Sequence, residues 1–128
     1  MIGRSALVAM EKLIAVLAAK SPERSTLDEL LRMIDDENSW INAGDLFDRI
    51  RHKYVQAARR NDACLAAQYD FEEVCAKSLF NFWVYGHQYS RLVGYDPDAQ
   101  FWILPLALSA ARAFGIDEKE IIAAVIPN

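Results

Sequence analysis

The chain has 128 residues, 18 acidic against 14 basic side chains and a formal net charge of -4, with 53% hydrophobic and 25% charged residues. That composition excludes a disordered chain and a collagen-like or linker-rich one, and with no window of about 18 uncharged apolar residues it excludes a membrane-spanning helix. It leaves one globular domain, residues 1–128, long enough to bury a core without disulfide staples.

Two cysteines, Cys64 and Cys75, stand among apolar neighbours. They read as buried reduced thiols, which suits the cytoplasm better than an oxidising compartment. The apolar start after Arg4 resembles a secretory leader until Glu11 and Lys12 interrupt it. Leu7, Met10, Leu13, Ile14 and Leu17 recur every three or four residues, so the segment is expected to be a helix over Ser5 to Ala19.

Helical periodicity continues almost throughout, without strand-type alternation, and predicts an all-α orthogonal bundle of about five to seven helices. Ser21-Pro22 breaks the first helix. Thr26 with Glu29 has the spacing of a capping box for a second, with Leu27, Leu30, Leu31 and Ile34 as its buried stripe. Asp36 to Gly44 reads as a turn carrying Trp40, and a third helix is expected from about Asp45 to Arg60, burying Phe47, Ile50, Tyr54 and Ala57. Asn61-Asp62 pinches the chain before a short helical piece from Ala63 to Tyr69. Asp70 and Glu73 then have the spacing to cap a fourth helix that turns Val74, Cys75, Leu79 and Phe82 inward and ends near Gly86.

Residues 86 to 96 form the longest irregular stretch, with His87, Tyr89, Arg91 and Tyr95. Asp96-Pro97 has the chemistry to start a fifth helix. Its thirteen uncharged residues between Asp98 and Arg112 suit a helix surrounded by others, and Pro105 predicts a kink or break near Leu104. Gly115 ends it. Asp117 and Glu120 cap a last helix carrying Ile121, Ile122 and Val125.

No catalytic or cofactor motif emerges. His52 and His87 are isolated and there is no Cys-x-x-Cys, so no metal site is expected. Asp96-Pro97-Asp98 opens like a calcium loop, but Phe101 stands where glycine is needed and Ala107 where a bidentate glutamate belongs. The glycines are scattered and no Gly-Lys-Ser/Thr occurs, which argues against a nucleotide cofactor. Cys75 falls on an apolar face as a core thiol, and acidic runs such as Asp35-Asp36-Glu37 or Glu72-Glu73 read as solvated faces. The chain is therefore not expected to be an enzyme; a helical active site around His87 is the alternative in that class.

Arg49, Arg51, Lys53, Arg59 and Arg60 imitate a nucleic-acid patch, yet Asp45 precedes Arg49 by four and Asp48 precedes Arg51 by three, spacings that neutralise charge along one helix face. Ala107 to Ile126 resembles a helix-turn-helix, but its second helix opens Asp117-Glu118-Lys119-Glu120 and would repel phosphate. Neither feature predicts nucleic-acid binding. Glu23 to Asp48 instead holds eight acids and two bases. With Trp40 behind Asp35, Asp36 and Glu37, and Tyr89 and Tyr95 flanking Asp96 and Asp98, these eight residues are the candidate contacts for a basic protein partner: acids steer, aromatics anchor.

From Asp70-Phe-Glu-Glu-Val-Cys-Ala-Lys-Ser-Leu-Phe-Asn through Tyr95-Asp-Pro-Asp-Ala-Gln-Phe-Trp-Ile-Leu-Pro-Leu-Ala-Leu-Ser-Ala-Ala-Arg-Ala-Phe-Gly-Ile, residues 70–116, the chain resembles small helical immunity proteins of bacterial contact-dependent growth inhibition systems. The resemblance implies a cytoplasmic protein that binds a cognate toxin domain, commonly a nuclease, and blocks its active site. It carries over no binding residue, since the matched positions are packing positions. A second expectation is a small helical regulator or adaptor that binds another protein, as a monomer or as a homodimer.

Overall fold

The apolar spacing at the start of the chain forms α1 (Arg4–Lys20), in which Leu7, Met10, Leu13, Ile14 and Leu17 are all buried. A computed structural model describes residues 4–36, 38–86 and 102–126, with backbone alone for 4–6, 40 and 81–86. Six helices are present among the described residues and no strand, so the chain is an all-α bundle. After Ser21-Pro22 come α2 (Ser25–Ile34), α3 (Trp40–Arg59), α4 (Ala63–Gly86), α5 (Ile103–Ala113) and α6 (Glu118–Val125).

Helix α4 is the centre. It packs against α1, α2, α3 and α5, and buries Gln68, Tyr69, Phe71, Glu72, Cys75, Ala76, Ser78 and Leu79. So many buried positions exceed one stripe because neighbours lie on several sides. Helix α1 closes the other flank against α2 and α6. Buried Ala107, Ala110 and Ala111 give α5 a small-residue face toward the core.

Two chain reversals share one solution. At the end of α3, Asn61 takes φ 57 while its N–H bonds Ala58 O and the Asp62 N–H bonds Ala57 O. At the end of α5, Gly115 takes φ 72, with Gly115 N–H on Arg112 O and Ile116 N–H on Ala111 O. Both are left-handed caps that satisfy carbonyls the helix leaves open.

Several local expectations are corrected. Thr26 and Glu29 form no capping box: Arg24 precedes the helix, Thr26 lies inside its first turn with its hydroxyl buried, and Glu29 turns to Arg49. Residues 40–44 are helical because the buried stripe of α3 begins at Ala43 and runs on to Leu46 and Ile50, and the glycine at 44 does not interrupt it. The pieces either side of Asp70 are one continuous α4. Its cap is Asp62, whose side chain accepts the Leu65 N–H at 3.0 Å, so Asp70 and Glu73 are interior residues.

Pro105 sits in the first turn of α5, where a missing N–H removes no helical hydrogen bond, and the helix boundary falls at Ile103. Helix α5, uncharged up to Arg112, is not surrounded. Trp102 at its start is 58% exposed and Leu104 faces solvent, because absence of charge permits burial without requiring it. Asp117 caps α6 as expected, accepting from Lys119 N–H at 2.9 Å, while Ile122 on that helix is exposed.

Candidate functional site

The corner between α2 and α3 carries the described part of the acidic surface. Asp35 and Asp36 are both exposed, and the chain is turned there by the Asp36 carboxylate, which accepts the Asn38 N–H at 2.9 Å. Buried Ser39 donates its hydroxyl to Met33 O at 3.0 Å and so ties the start of α3 to the end of α2. Trp40 is the first residue of α3, five positions beyond Asp35; its side chain lies outside the described residues. Glu37, Tyr89, Tyr95, Asp96 and Asp98 also lie outside them, as do His87 and the expected helix start at Asp96-Pro97.

Beyond the corner, Ile41, Gly44, Asp45 and Asp48 follow at helical spacings of three and four on α3 and share its solvent side. Ile41 is 65% exposed. This face borders an open groove of about 290 Å³ between α3 and α4, lined by Ala43, Gly44, Phe47, Asp48, Ala76, Lys77 and Phe80. Lys77 places its Nζ 5.3 Å from the centre of the Phe47 ring, a cation–π contact across the groove. Sequence reasoning missed this groove. The available signal was Ile41, an apolar residue out of phase with Ala43, Leu46 and Ile50.

Much of the acidity is consumed within the fold. Arg49 bonds Glu29 through both terminal nitrogens, at 2.8 and 2.7 Å, and Asp45 through Nε at 3.0 Å. The guanidinium hydrogen bond holds the Glu29 carboxyl below its usual range despite partial burial. Arg24 pairs with Asp28, and Arg51 reaches Glu73 on α4 at 3.2 Å in place of the expected Asp48. Lys53 donates to Ser25 Oγ at 3.3 Å. The basic helix is thus stitched to α2 and α4. Asp35, Asp36 and Asp48 make no ion pair with a described residue, so the corner and the groove edge keep free negative charge, as do exposed Glu11, Glu23, Asp117 and Glu120 elsewhere on the surface.

A second constellation lies inside the bundle. Ser21 donates to Gln68 Oε1, and Gln68 Nε2 donates to Glu23 O and to Glu72 Oε2, both at 2.8 Å. Glu72 is fully buried, and burial pushes its carboxyl from the ordinary 4.5 up to about 7, tempered by the nearby Thr26 hydroxyl and the Gln68 amide. Thr26 Oγ1 and Glu72 Oε1 nonetheless reach hydrogen-bonding geometry neither with each other nor with any described atom. The expectation that Glu72-Glu73 is a solvated run is therefore corrected: Glu73 is ion-paired and Glu72 is interior. Gln68, Glu72, Cys75, Ala76 and Leu79 fall on one helical stripe, and that register was the signal available.

Burial likewise raises the Cys75 thiol well above its ordinary value and the Tyr69 hydroxyl to about 12. Cys64 Sγ donates to Ala113 O at 2.9 Å and anchors α4 to the end of α5. Among the described residues no three of His, Cys, Asp and Glu converge as metal ligands, and no helix is long and apolar enough to cross a membrane.

No protein-family model matches the chain, and no curated protein or solved structure matches it either.

Proposed function

We propose that this chain is a stoichiometric immunity protein that binds a cognate bacterial toxin domain of the nuclease class and neutralises it in the cytoplasm. The observation that carries the reading is the corner of α2 and α3: Asp35, Asp36 and Asp48, unneutralised within the described fold, beside exposed Ile41 and an apolar groove. A nuclease must hold phosphates and so presents a basic groove. An acidic surface with an apolar anchor gains association rate from the field and residence from the anchor, and it transforms no substrate itself. The resemblance over residues 70–116 supports the same class of partner.

Binding to the toxin domain encoded immediately upstream tests the reading, measured at low and high salt. Replacing Asp35 and Asp36 with lysine is expected to slow association roughly tenfold at low salt, and Ile41→Asp to speed dissociation. Tight binding indifferent to salt and to all three substitutions refutes the acidic-surface mechanism. Absence of binding, together with a concentration-dependent dimer in sedimentation, favours the adaptor reading.

A further inference from the structure

We propose that the cleft between the end of α3, the start of α4 and the connection from α1 to α2 binds a small zwitterion, an α-amino acid with an aliphatic side chain. The cleft holds about 250 Å³ and carries both signs of charge: Lys53 and Arg60 from α3, Glu23 from the connection and Asp62 at the cap of α4. None of these side chains makes an ion pair with another of them or with any described residue. Opposite charges therefore line one space without neutralising each other.

The second observation is Tyr69. Only 4% of this residue is exposed, yet its hydroxyl hydrogen-bonds no described residue and is not sealed in the interior; it opens into the cleft. A phenol so deeply placed ordinarily has a partner. Burial, then Glu72, Glu23 and Asp62, push its ionisation up to about 12 while Arg60 opposes them, so at neutral pH it stays a donor that a carboxylate can use.

The walls are held from behind. Lys53 Nζ is tethered to Ser25 Oγ at 3.3 Å, the Asp62 carboxylate accepts the Leu65 N–H at 3.0 Å, and the Gln56 amide nitrogen lies 3.1 Å from the His52 ring. The backbone of Glu23 is fixed at both ends, its N–H on Ser21 Oγ at 3.1 Å and its carbonyl on Gln68 Nε2 at 2.8 Å. Each tether leaves further donors or acceptors unused, and groups fixed before binding lose little freedom when a ligand arrives.

This set selects a molecule carrying two opposite charges. A carboxylate takes the Lys53 ammonium, the Arg60 guanidinium and the Tyr69 hydroxyl, and an ammonium takes the Glu23 and Asp62 carboxylates. A simple anion such as phosphate meets two acids along with the two bases, and a simple cation meets the reverse, so neither gains the full set. Between the charged walls, buried Ala57, half-buried Leu65 and the Tyr69 ring form an apolar floor for an aliphatic side chain. The volume falls short of the roughly 300 Å³ at which pockets for drug-sized ligands begin, which excludes anything as large as a nucleotide.

Amide NMR titration of the full chain with L-leucine tests the site, beside isocaproate, which lacks the ammonium, and isoamylamine, which lacks the carboxylate. Leucine is expected to bind in the millimolar range or tighter, shifting amides of residues 21–25, 53–62 and 65–70, and each single-charge analogue to bind roughly tenfold more weakly. Tyr69→Phe removes only the hydroxyl, which no described residue uses, so it is expected to leave the thermal melt unchanged and to weaken leucine roughly tenfold. Arg60→Gln changes an exposed side chain, is expected to weaken leucine and isocaproate alike, and decides the matter should the phenylalanine variant fold poorly. Absence of leucine-dependent shifts at these amides, equal binding by isocaproate, or an affinity indifferent to both substitutions overturns the proposal.

Discussion

Arg49 of α3 and Glu29 of α2 meet side to side, both terminal nitrogens of the guanidinium donating to the two carboxylate oxygens. They are twenty residues apart, and neither is where helical spacing pairs it: Asp45 is the in-helix partner of Arg49, and Glu29 has the spacing of a capping residue. The guanidinium keeps both partners, Nε on Asp45 and the two terminal nitrogens forked onto Glu29, so one side chain joins α2 to α3 without giving up its in-helix pair.

Because Arg49 is nearly half exposed, the pair is worth little more than a surface bridge. Removing both partners in a double-mutant cycle is expected to give a coupling of about 0.5–1 kcal/mol, shrinking in high salt. The Glu29 carboxyl is held below its ordinary range, so this stability is present at neutral pH and is lost as pH falls through the folded value. Acid unfolding of Glu29→Gln against wild type measures it.

Gln68 carries the buried polar seam. Gln68→Leu keeps the volume but strips partners from Ser21, from Glu23 O and from Glu72 at once. Denaturant unfolding is expected to show a loss of roughly 2–4 kcal/mol, well above an ordinary surface change.

Two glycines with equal room differ in backbone conformation. Gly44 lies within α3, and a Cβ there meets nothing within 4 Å, so Gly44→Ala is expected to stabilise the chain by about 0.5–1 kcal/mol through helix propensity. Gly115 has equal room but a φ of +72, so Gly115→Ala is expected to destabilise by about 1 kcal/mol. Thermal melts of both variants should move in opposite directions.

Cys75 is fully buried with its thiolate strongly disfavoured. Reaction with a thiol reagent at neutral pH is expected to spare it in the folded chain and to capture it on addition of denaturant. Mass mapping of the labelled cysteine checks this; rapid labelling of Cys75 in native conditions contradicts its burial.

Periodicity and turn chemistry determined the all-α class, the buried stripe of α1 and that of α2 apart from the half-buried Leu31, the inward Cys75 and Leu79, and the stops at Ser21-Pro22, Asn61-Asp62 and Gly115, because both are local properties. Tertiary structure decided the rest. Whether Thr26 caps a helix or is buried, whether Glu72 meets water or the interior, and whether Arg49 or Arg51 is satisfied in its own helix or by another all depend on which helices become neighbours. The acidic stretch shows the division plainly: Asp35 and Asp36 were legible as charge, but that Arg49 neutralises Glu29 as well as Asp45 depended on α2 packing beside α3. The groove beside Ile41 exists only between two helices, and a one-dimensional pattern has no term for the space between them.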